Sequence, residues 1–439
     1  SSDLQGILGI SQFIGRDLFA SEIGRNFLAL GMDSSISRTI RFVYEGNSRS
    51  SVYMASYTPN YAGMYLVMVL PVLFVVALEA KKIGYKILWT CLIGILLVCL
   101  YGTGSKAGFL VCGFLAVLVI ILMAQKHHTK KKWIYVGICI LAAAGITAGY
   151  DQFSGHALSD ALQQIVQKET YDLEEIKSES DGVCLKYRGN FLKLIPEENE
   201  MGQTLTAQIN KKEKQTAFWD GESQSFIFND KSFGSLKFDT YREKGTQYLI
   251  IYDGDMTWNF YKEDGAARYV FVNQYGKLDE IQNAAAVFKG HERSLSGRGY
   301  IWGRTIPLLK KFLLWGSGPD TFTVKFPQTD YVMKVNTGLN MYQQLPTKAH
   351  SMYLQSALQT GILSGICLLM FFLHYIRIAV RNAKTEKNRE KAMFRTGILL
   401  SVIGFLLMGL ANDSNLAVSP LFWCILGMGI AMETETFHS

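Results

Sequence analysis

The sequence predicts a polytopic α-helical membrane protein that carries a small antiparallel β domain inserted between its membrane helices. Three observations lead to this fold class. Runs of about 16 to 24 uncharged residues recur along the 439-residue chain, and each is long enough for a helix to cross a hydrocarbon core of ~30 Å. Short basic clusters separate several of these runs, and a region of strand-like alternation lies between the fourth run and the fifth.

Six apolar runs and a shorter seventh are predicted to span the membrane. They lie at residues 60–79, 87–101, 107–124, 133–150, 353–376, 395–411 and 420–432. Basic clusters follow the first, third and fifth runs: Lys81, Lys82 and Lys86; Lys126, Lys130, Lys131 and Lys132; Arg377, Arg381, Lys384, Lys387, Arg389 and Lys391. The positive-inside rule makes these loops cytoplasmic, so residues 151–350 are expected on the outer side.

The outer segment is predicted to contain a sandwich or roll of short strands. Residues 248–252 and 256–261 alternate as β-strands do and are joined by Asp253-Gly254, which predicts a hairpin. Before the strands, residues 157–179 are predicted to form an exposed acidic helix. The aromatic residues Trp219, Trp258 and Tyr261 could stack on sugar rings, although a place in the core is the more probable role for each.

Composition argues against several other classes of protein. The hydrophobic fraction of 49% and the charged fraction of 18% exclude a disordered chain. Six of the seven cysteines fall inside apolar runs and no CxxC spacing occurs, so no disulfide framework or zinc site is implied. The net charge of +7 arises largely from loop lysines and arginines, which membrane topology explains better than nucleic-acid binding.

Residues suited to chemistry gather where the chain returns from the outer segment to the membrane. They lie in Ser296-Gly297-Arg298-Gly299-Tyr300-Ile301-Trp302-Gly303-Arg304, in Gly316-Ser317-Gly318-Pro319-Asp320-Thr321-Phe322 and in His350-Ser351-Met352-Tyr353-Leu354-Gln355. A guanidinium matches two phosphate oxygens at once, and a histidine exchanges protons near neutral pH. Together they suit a group transfer in which a lipid-linked pyrophosphate leaves and an alcohol attacks.

Each of these residues also has a plainer interpretation. Arg298 and Arg304 could be interfacial anchors, His350 could be a polar group at a helix start, and Gly316 and Gly318 could form a tight turn. Asp413, at the outer end of the sixth run, could pair with an arginine or be solvated.

The three motifs resemble the SGRxxxW, GxGPxTF and HSxYLQ pattern of the O-antigen ligase and O-antigen polymerase superfamily. Thr58-Pro59-Asn60-Tyr61-Ala62-Gly63 is similar to that family's NPNxxA/G segment, and Gly104-Ser105-Lys106-Ala107-Gly108 to its SR(A/G) turn. The resemblance covers about 57–124 and 294–433, and residues 151–290 lie outside it. The family's N-terminal helices are missing before residue 57, which suggests an N-terminally truncated chain.

The resemblance implies a GT-C-like membrane fold and transfer of a glycan from an undecaprenyl-diphosphate carrier to a sugar hydroxyl, with no cofactor and no metal. Arg298 would bind the diphosphate, and His350 would activate the acceptor hydroxyl or steady the leaving group. Arg304 would be a second, weaker phosphate ligand. Lys106 stands where the family usually has Arg, and it keeps the charge without the bidentate geometry. Asp413, Gly316 and Gly318 would support the site.

The expected partners are the glycan donor, the sugar acceptor, membrane lipid and other polysaccharide-assembly proteins, but no nucleic acid. The expected location is the bacterial cytoplasmic membrane with the active site outward. The predicted organisation is an extracytoplasmic amphipathic segment at 1–56, transmembrane helices at 57–150, an extracytoplasmic insert at 151–293, an extracytoplasmic catalytic loop at 294–350, and transmembrane helices with a cytoplasmic tail at 351–439.

Two alternative functions stay open at this point. One is a protein O-oligosaccharyltransferase of the same superfamily, which differs only in its acceptor. The other is a non-catalytic membrane protein that binds or assembles polysaccharide through the β insert. A transporter is less consistent with runs that carry almost no charge.

Overall fold

A computed structural model describes residues 2–30, 39, 51–56, 58–125, 137, 144–145, 147–149, 151–152, 155–199, 202–212 and 214–434. The chain divides into two compact units. The first comprises Ser1–Leu162, Phe312–Gly316 and Lys348–Ser439, and the second comprises Gln163–Lys311 and Ser317–Thr347.

The α-helices, numbered along the chain, are α1 Ser2–Phe13, α2 Glu22–Leu28, α3 Pro59–Glu79, α4 Ile83–Gly102, α5 Lys106–Gln125, α6 Ala157–Val166, α7 Arg298–Leu308, α8 Phe322–Lys325, α9 Tyr331–Asn336, α10 Met352–Thr360, α11 Ile362–Thr385, α12 Arg389–Met408 and α13 Ser419–Thr434. Among the described residues, four helices are long and apolar enough to cross a membrane, namely α3, α4, α11 and α12. Helix α13 and the part of α5 up to Leu118 are shorter apolar helices.

The first unit is built around the contact between α3 and α12. The hydrophobic windows of these two helices are 72% and 67% buried, whereas those of α4 and α11 are only 17% buried. Small residues on α12 allow the close approach, because a Cβ at Gly404 would lie 2.6 Å from a methyl carbon of Val67. The Ser401 hydroxyl, on the same face, donates to the carbonyl of Met68. The apolar outer surfaces of α4 and α11 are those expected of lipid-facing helices.

The predicted spans agree with the helices at five places and differ at one. Runs one, two, three, six and seven correspond to α3, α4, α5, α12 and α13. The fifth run, predicted as one span over 353–376, is broken at Gly361, which has φ +98° and separates α10 from α11. The loop lysines at 126 and 130–132 lie outside the described residues, and so does most of the fourth run, 133–150.

The second unit contains two antiparallel sheets made from consecutive strands. The five-stranded sheet comprises β1 Leu173–Ser178, β2 Val183–Tyr187, β3 Asn190–Asn199, β4 Gly202–Ile209 and β5 Lys214–Thr216 in that order. The seven-stranded sheet comprises β6 Phe218–Asp220, β7 Ser225–Ile227, β8 Lys237–Glu243, β9 Thr246–Asp253, β10 Met256–Glu263, β11 Val270–Val272 and β12 Leu278–Asp279. One hydrophobic core contains buried side chains from both sheets.

The hairpin predicted at Asp253-Gly254 is confirmed, since Met256 on β10 pairs with Asp253 on β9. The acidic helix predicted over 157–179 is wrong in its second half, because α6 ends at Val166 and Leu173–Ser178 is strand β1. Leu173 and Ile176 are buried in the shared core, and this tertiary packing overrides the charged composition of the segment.

The three aromatic residues singled out in the sequence differ in how far they are buried. Trp258 is fully buried, as predicted for a core residue, whereas Trp219 is 50% exposed. Tyr261 is half-buried. The core prediction is therefore right for Trp258 and wrong for Trp219.

Candidate functional site

His350 lies in the first unit, directly before α10. Its side chain is 44% exposed, and its Nδ1 lies 3.3 Å from Oδ2 of Asp413, whose side chain is only 2% exposed. Because Nδ1 is turned toward the carboxylate, Nε2 is the ring nitrogen left to meet a substrate. The pair therefore has the layout of a general base with an orienting acid.

Asp413 is held in the short connection between α12 and α13. Its Oδ2 also accepts a hydrogen bond of 3.5 Å from the hydroxyl of the buried Tyr61. Its Oδ1 is buried and has no hydrogen-bond partner among the described residues. An unsatisfied buried carboxylate oxygen is costly, so the position of Asp413 beside His350 is maintained against an energetic penalty.

The backbone at His350 is strained and is held in place by its neighbours. His350 has φ +49°, an uncommon value for a residue with a side chain. Immediately before it, the N–H of Ala349 donates to the Gln355 side chain at 2.8 Å. Immediately after the Ser351 cap, the N–H of Met352 donates to the carbonyls of Gly409 and Asn412 at 2.8 and 2.9 Å.

These contacts explain three of the residues around the histidine in the HSxYLQ motif. Ser351 caps α10 by accepting from the N–H of Leu354, Tyr353 donates through its hydroxyl to the carbonyl of Leu406 at 2.8 Å, and Gln355 fixes the residue before the histidine. The motif thus contains the histidine and also the residues whose hydrogen bonds fix the backbone around it.

Lys106 is the first residue of α5 and belongs to the same unit as His350. Its side chain is half-buried, and it forms no ion pair with any residue that the structure describes. The preceding Ser105 packs against Gly63, because a Cβ at Gly63 would lie 3.0 Å from the serine side chain. The segment that starts α3 and the turn that starts α5 are therefore in contact, as are Tyr61 of the former and Asp413.

Arg298 opens α7 in the second unit, after a turn in which Leu295, Ser296 and Gly297 all have positive φ. Its half-buried guanidinium donates from Nη1 to the carbonyl of Leu295 at 3.2 Å. Two glycines then press α7 against the chain before it, since a Cβ at Gly299 would meet the His291 carbonyl oxygen at 2.0 Å and one at Gly303 would meet that of Val287 at 2.6 Å. The SGRxxxW segment therefore sets the position of Arg298 through close backbone packing.

Arg304, six residues further along α7, has a different environment. It is 3% exposed, its Nε lies 2.9 Å from Asp330 and its Nη1 lies 3.3 Å from Glu292, with both carboxylates equally buried. Its guanidinium also lies over the ring of Tyr300, at 4.7 Å. A guanidinium that is already bound to two carboxylates has no free fork for a phosphate, so we assign Arg304 a structural role and leave it out of the candidate phosphate site.

Burial sets the protonation properties of this cluster, which we call the Arg304 cluster and define as Glu292, Tyr300, Arg304, Asp330 and Lys334. Burial raises the pKa of Asp330, and the positive charge of Arg304 opposes this effect. It also lowers the pKa of the fully buried Lys334, against the pull of Asp330. Within this cluster Arg304 is ion-paired with Glu292 and Asp330, and the Lys334 ammonium donates to the carbonyl of Met341.

Gly316 and Gly318 differ in what they do. A Cβ at Gly316 would lie 1.9 Å from the carbonyl oxygen of Gln359, so the Phe312–Gly316 segment needs glycine there to pack against the break between α10 and α11. The N–H groups of Ile362 and Leu363 donate to the carbonyls of Phe312 and Leu313 at that break. Gly318 has φ +100° and forms the turn closed by the Thr321 hydroxyl.

Sequence reasoning missed two contributors to the site. Tyr61 was noted only as part of a motif, and its contact with Asp413 joins residues far apart in the chain. Asn412, whose carbonyl helps to hold the start of α10, acts through its backbone and so leaves no side-chain signal. Among the described residues, no group of three or more His, Cys, Asp and Glu side chains is placed to hold a metal ion.

The fold and site together define a helical membrane protein with an inserted β domain and an acid–base pair beside its apolar helices. Residues 265–369 match the family model described as O-antigen ligase. The match supports membership of the O-antigen ligase and polymerase superfamily and confirms the predicted resemblance. It begins inside the segment 151–290 that we expected to lie outside that resemblance, and it includes Arg298 and His350. Comparisons with curated proteins and with solved structures gave no match.

The match supports, in general terms, a glycosyl-transferring membrane enzyme of the ligase or polymerase kind. Its substrate is, in equally general terms, a polysaccharide or a lipid-linked glycan.

Proposed function

We propose that this protein transfers a glycan from an undecaprenyl-diphosphate carrier to a sugar hydroxyl on the outer side of the bacterial cytoplasmic membrane. The observation that carries the proposal is the exposed His350, which lies inside the segment that matches an O-antigen ligase family and is held beside the buried Asp413. The membrane helices would form a GT-C-like fold, with the β domain inserted between them.

In the proposed reaction, the oxygen of the acceptor hydroxyl attacks the anomeric carbon of the donor sugar. The bond between that carbon and the diphosphate oxygen breaks, and the diphosphate leaves with the electron pair. The hydroxyl proton passes to Nε2 of His350, and Asp413 stabilises the imidazolium that forms. Attack opposite the leaving group inverts the configuration at the anomeric carbon.

The leaving diphosphate needs cationic partners, because negative charge develops on it as the glycosidic bond breaks. We assign this role to Arg298, whose guanidinium can contact two phosphate oxygens. Lys106 adds a point charge near the start of α5. Arg304 takes no part in this role, since its guanidinium is bound to Glu292 and Asp330.

The test is a transfer assay with the full chain reconstituted in proteoliposomes that contain an undecaprenyl-diphosphate oligosaccharide. His350→Ala and Arg298→Ala should each lose most product. His156→Ala is the matched control, since His156 also lies near an aspartate, with its Nδ1 3.6 Å from Asp151, but its side chain is 69% exposed.

Undiminished transfer by both His350→Ala and Arg298→Ala would overturn the proposal and favour a non-catalytic role in polysaccharide binding. The products of the wild-type enzyme also separate the possible acceptors. A ladder of chain lengths indicates a polymerase, a single transfer to a lipid or glycan acceptor indicates a ligase, and glycosylated protein indicates an O-oligosaccharyltransferase.

A further inference from the structure

Three tyrosines form a continuous row across the seven-stranded sheet of the second unit. Tyr241 on β8 pairs with Tyr248 on β9, which pairs in turn with Tyr261 on β10. The ring centroids of Tyr241 and Tyr248 are 4.6 Å apart with the planes at 15°, and those of Tyr248 and Tyr261 are 6.3 Å apart at 33°. We call these three residues the tyrosine row.

The tyrosine row lies on the face of the sheet that is turned away from the core. Adjacent side chains of a strand point to opposite faces, and the neighbours Thr240, Leu249 and Phe260 are all buried. Tyr241 is 40% exposed, and Tyr248 and Tyr261 are half-buried. The core therefore does not account for three aromatic rings at these positions.

Hydrogen-bonding side chains lie beside the tyrosine row on the same face. Asp239 and Asn259 oppose Ile250 in the neighbouring row, two residues along each strand from the tyrosines. Neither side chain makes a hydrogen bond or ion pair with another residue that the structure describes, and none of the three tyrosine hydroxyls does so either. The face thus combines aromatic rings with a free carboxylate, a free amide and free hydroxyls.

This combination matches the two surfaces of a sugar ring. A pyranose presents C–H groups on its faces, which pack on an aromatic ring, and hydroxyls around its rim, which bond to carboxylate and amide groups. An apolar protein partner would instead favour a face that is mainly aliphatic. On β8, β9 and β10 the two rows contain one aliphatic side chain, Ile250, and they continue on β11 as Val270 and Val272. Because the tyrosine row extends over three strands, it is suited to a chain of sugars more than to a single one.

We propose that the tyrosine row, with Asp239 and Asn259, is a binding surface for a polysaccharide chain. The proposal rests on the proposed function only in that a glycan is the substrate of this protein. Binding on the β domain would raise the local concentration of glycan at the enzyme without any role in the chemical step.

The test measures binding separately from transfer. The full chain in nanodiscs, with His350→Ala to prevent turnover, is titrated by microscale thermophoresis with the surface polysaccharide of the source cells, released from lipid by mild acid. Pools of one repeat unit and of many repeat units are compared. We expect the longer pool to bind at least about tenfold more tightly, because it contacts more rings at once.

Tyr241→Ala with Tyr261→Ala should weaken binding of the longer pool by about 10- to 100-fold, given that aromatic contacts of this kind each contribute roughly two- to tenfold. The corresponding Tyr→Phe variants keep the rings and should bind nearly as the parent does. Phe191→Ala is the control, since Phe191 is a 56% exposed aromatic residue of the other sheet.

Unchanged binding by the double alanine variant would overturn the proposal, even if transfer by the wild type depends on His350. If instead transfer proves independent of His350 while the double variant loses binding, the proposed mechanism fails and the binding surface stands. Loss of self-association without loss of glycan binding would identify the face as a protein contact and would also overturn the proposal.

Discussion

The His350 site of the first unit and the Arg304 cluster of the second both hold an ionisable side chain against buried carboxylate, but they leave different atoms free. The His350 side chain is 44% exposed and meets Asp413 with only one ring nitrogen. Arg304 is 3% exposed and is held by two carboxylates and an aromatic ring. A motif residue suited to chemistry is therefore a reacting group only when its protein partners leave a functional atom accessible.

The same contrast distinguishes Arg298 of the SGRxxxW segment from Arg304, which lies two residues after the tryptophan of that segment. Arg298 is half-buried and donates a hydrogen bond to the carbonyl of Leu295, whereas Arg304 forms ion pairs with two buried carboxylates. Both residues are arginines of the same helix, and the sequence does not distinguish them. Their environments differ because Arg304 contacts the buried carboxylates of Glu292 and Asp330.

The largest effect is expected from breaking the Arg304 cluster. Arg304→Met should destabilise the folded protein by about 3–5 kcal/mol, because it leaves two buried carboxylates without their cation. Arg298→Met should cost less, about 1 kcal/mol, since the guanidinium is only half-buried and donates to the backbone carbonyl of Leu295. Thermal unfolding of the purified full chain, followed by near-ultraviolet circular dichroism, measures the difference.

Equal and small losses of stability for both arginine variants would show that the cluster is not structural. Retained transfer by Arg304→Met together with lost transfer by Arg298→Met would separate the structural role of one arginine from the phosphate-binding role of the other in one assay.

A smaller loss of stability is expected at Gly316. Gly316→Ala should destabilise the protein by about 1–3 kcal/mol, because the new Cβ would overlap the carbonyl of Gln359 and force the backbone apart. Gly113→Ala is the control, since a Cβ there meets nothing within 4 Å. If the two variants melt together, the close packing of Phe312–Gly316 against the helix break does not contribute to stability.

The smallest effect is expected at Lys106. Lys106→Met should raise KM for the lipid-linked donor by about tenfold, the loss expected for one charged contact with phosphate, and Lys106→Arg should restore most of it. Lys86→Met, which removes a lysine of the predicted cytoplasmic loop, should leave KM unchanged. A KM for Lys106→Met equal to that of the wild type would remove this residue from the proposed diphosphate site.

Much of the helical part could be predicted, because a run of apolar residues long enough to cross a bilayer has few other uses. The break at Gly361 could not, since one glycine in an apolar run is often tolerated inside a helix. What makes Gly361 a break is the contact with Leu314, whose carbonyl oxygen would lie 2.5 Å from a Cβ there. Strand β1 was missed for a similar reason, because its charged composition conceals the buried Leu173 and Ile176.

The sequence predicts which residues belong to the candidate site, but it does not predict which of them contact one another. The motifs indicate His350 and Arg298. For Asp413 the sequence is equally consistent with an ion pair and with a solvated side chain, and only the structure shows its contact with Nδ1 of His350. Tyr61, Glu292 and Asp330 carry no local pattern that indicates their partners, because those contacts join distant parts of the chain.

The most direct test of the central claim is a double-mutant cycle on His350 and Asp413 with transfer rate as the readout. If Asp413 acts only by orienting His350 and stabilising its charge, His350→Gln and Asp413→Asn should each slow transfer by about 10²–10⁴-fold. The double variant should then be no slower than the slower single variant. Losses that multiply in the double variant would show that the two residues act independently, and would contradict the account.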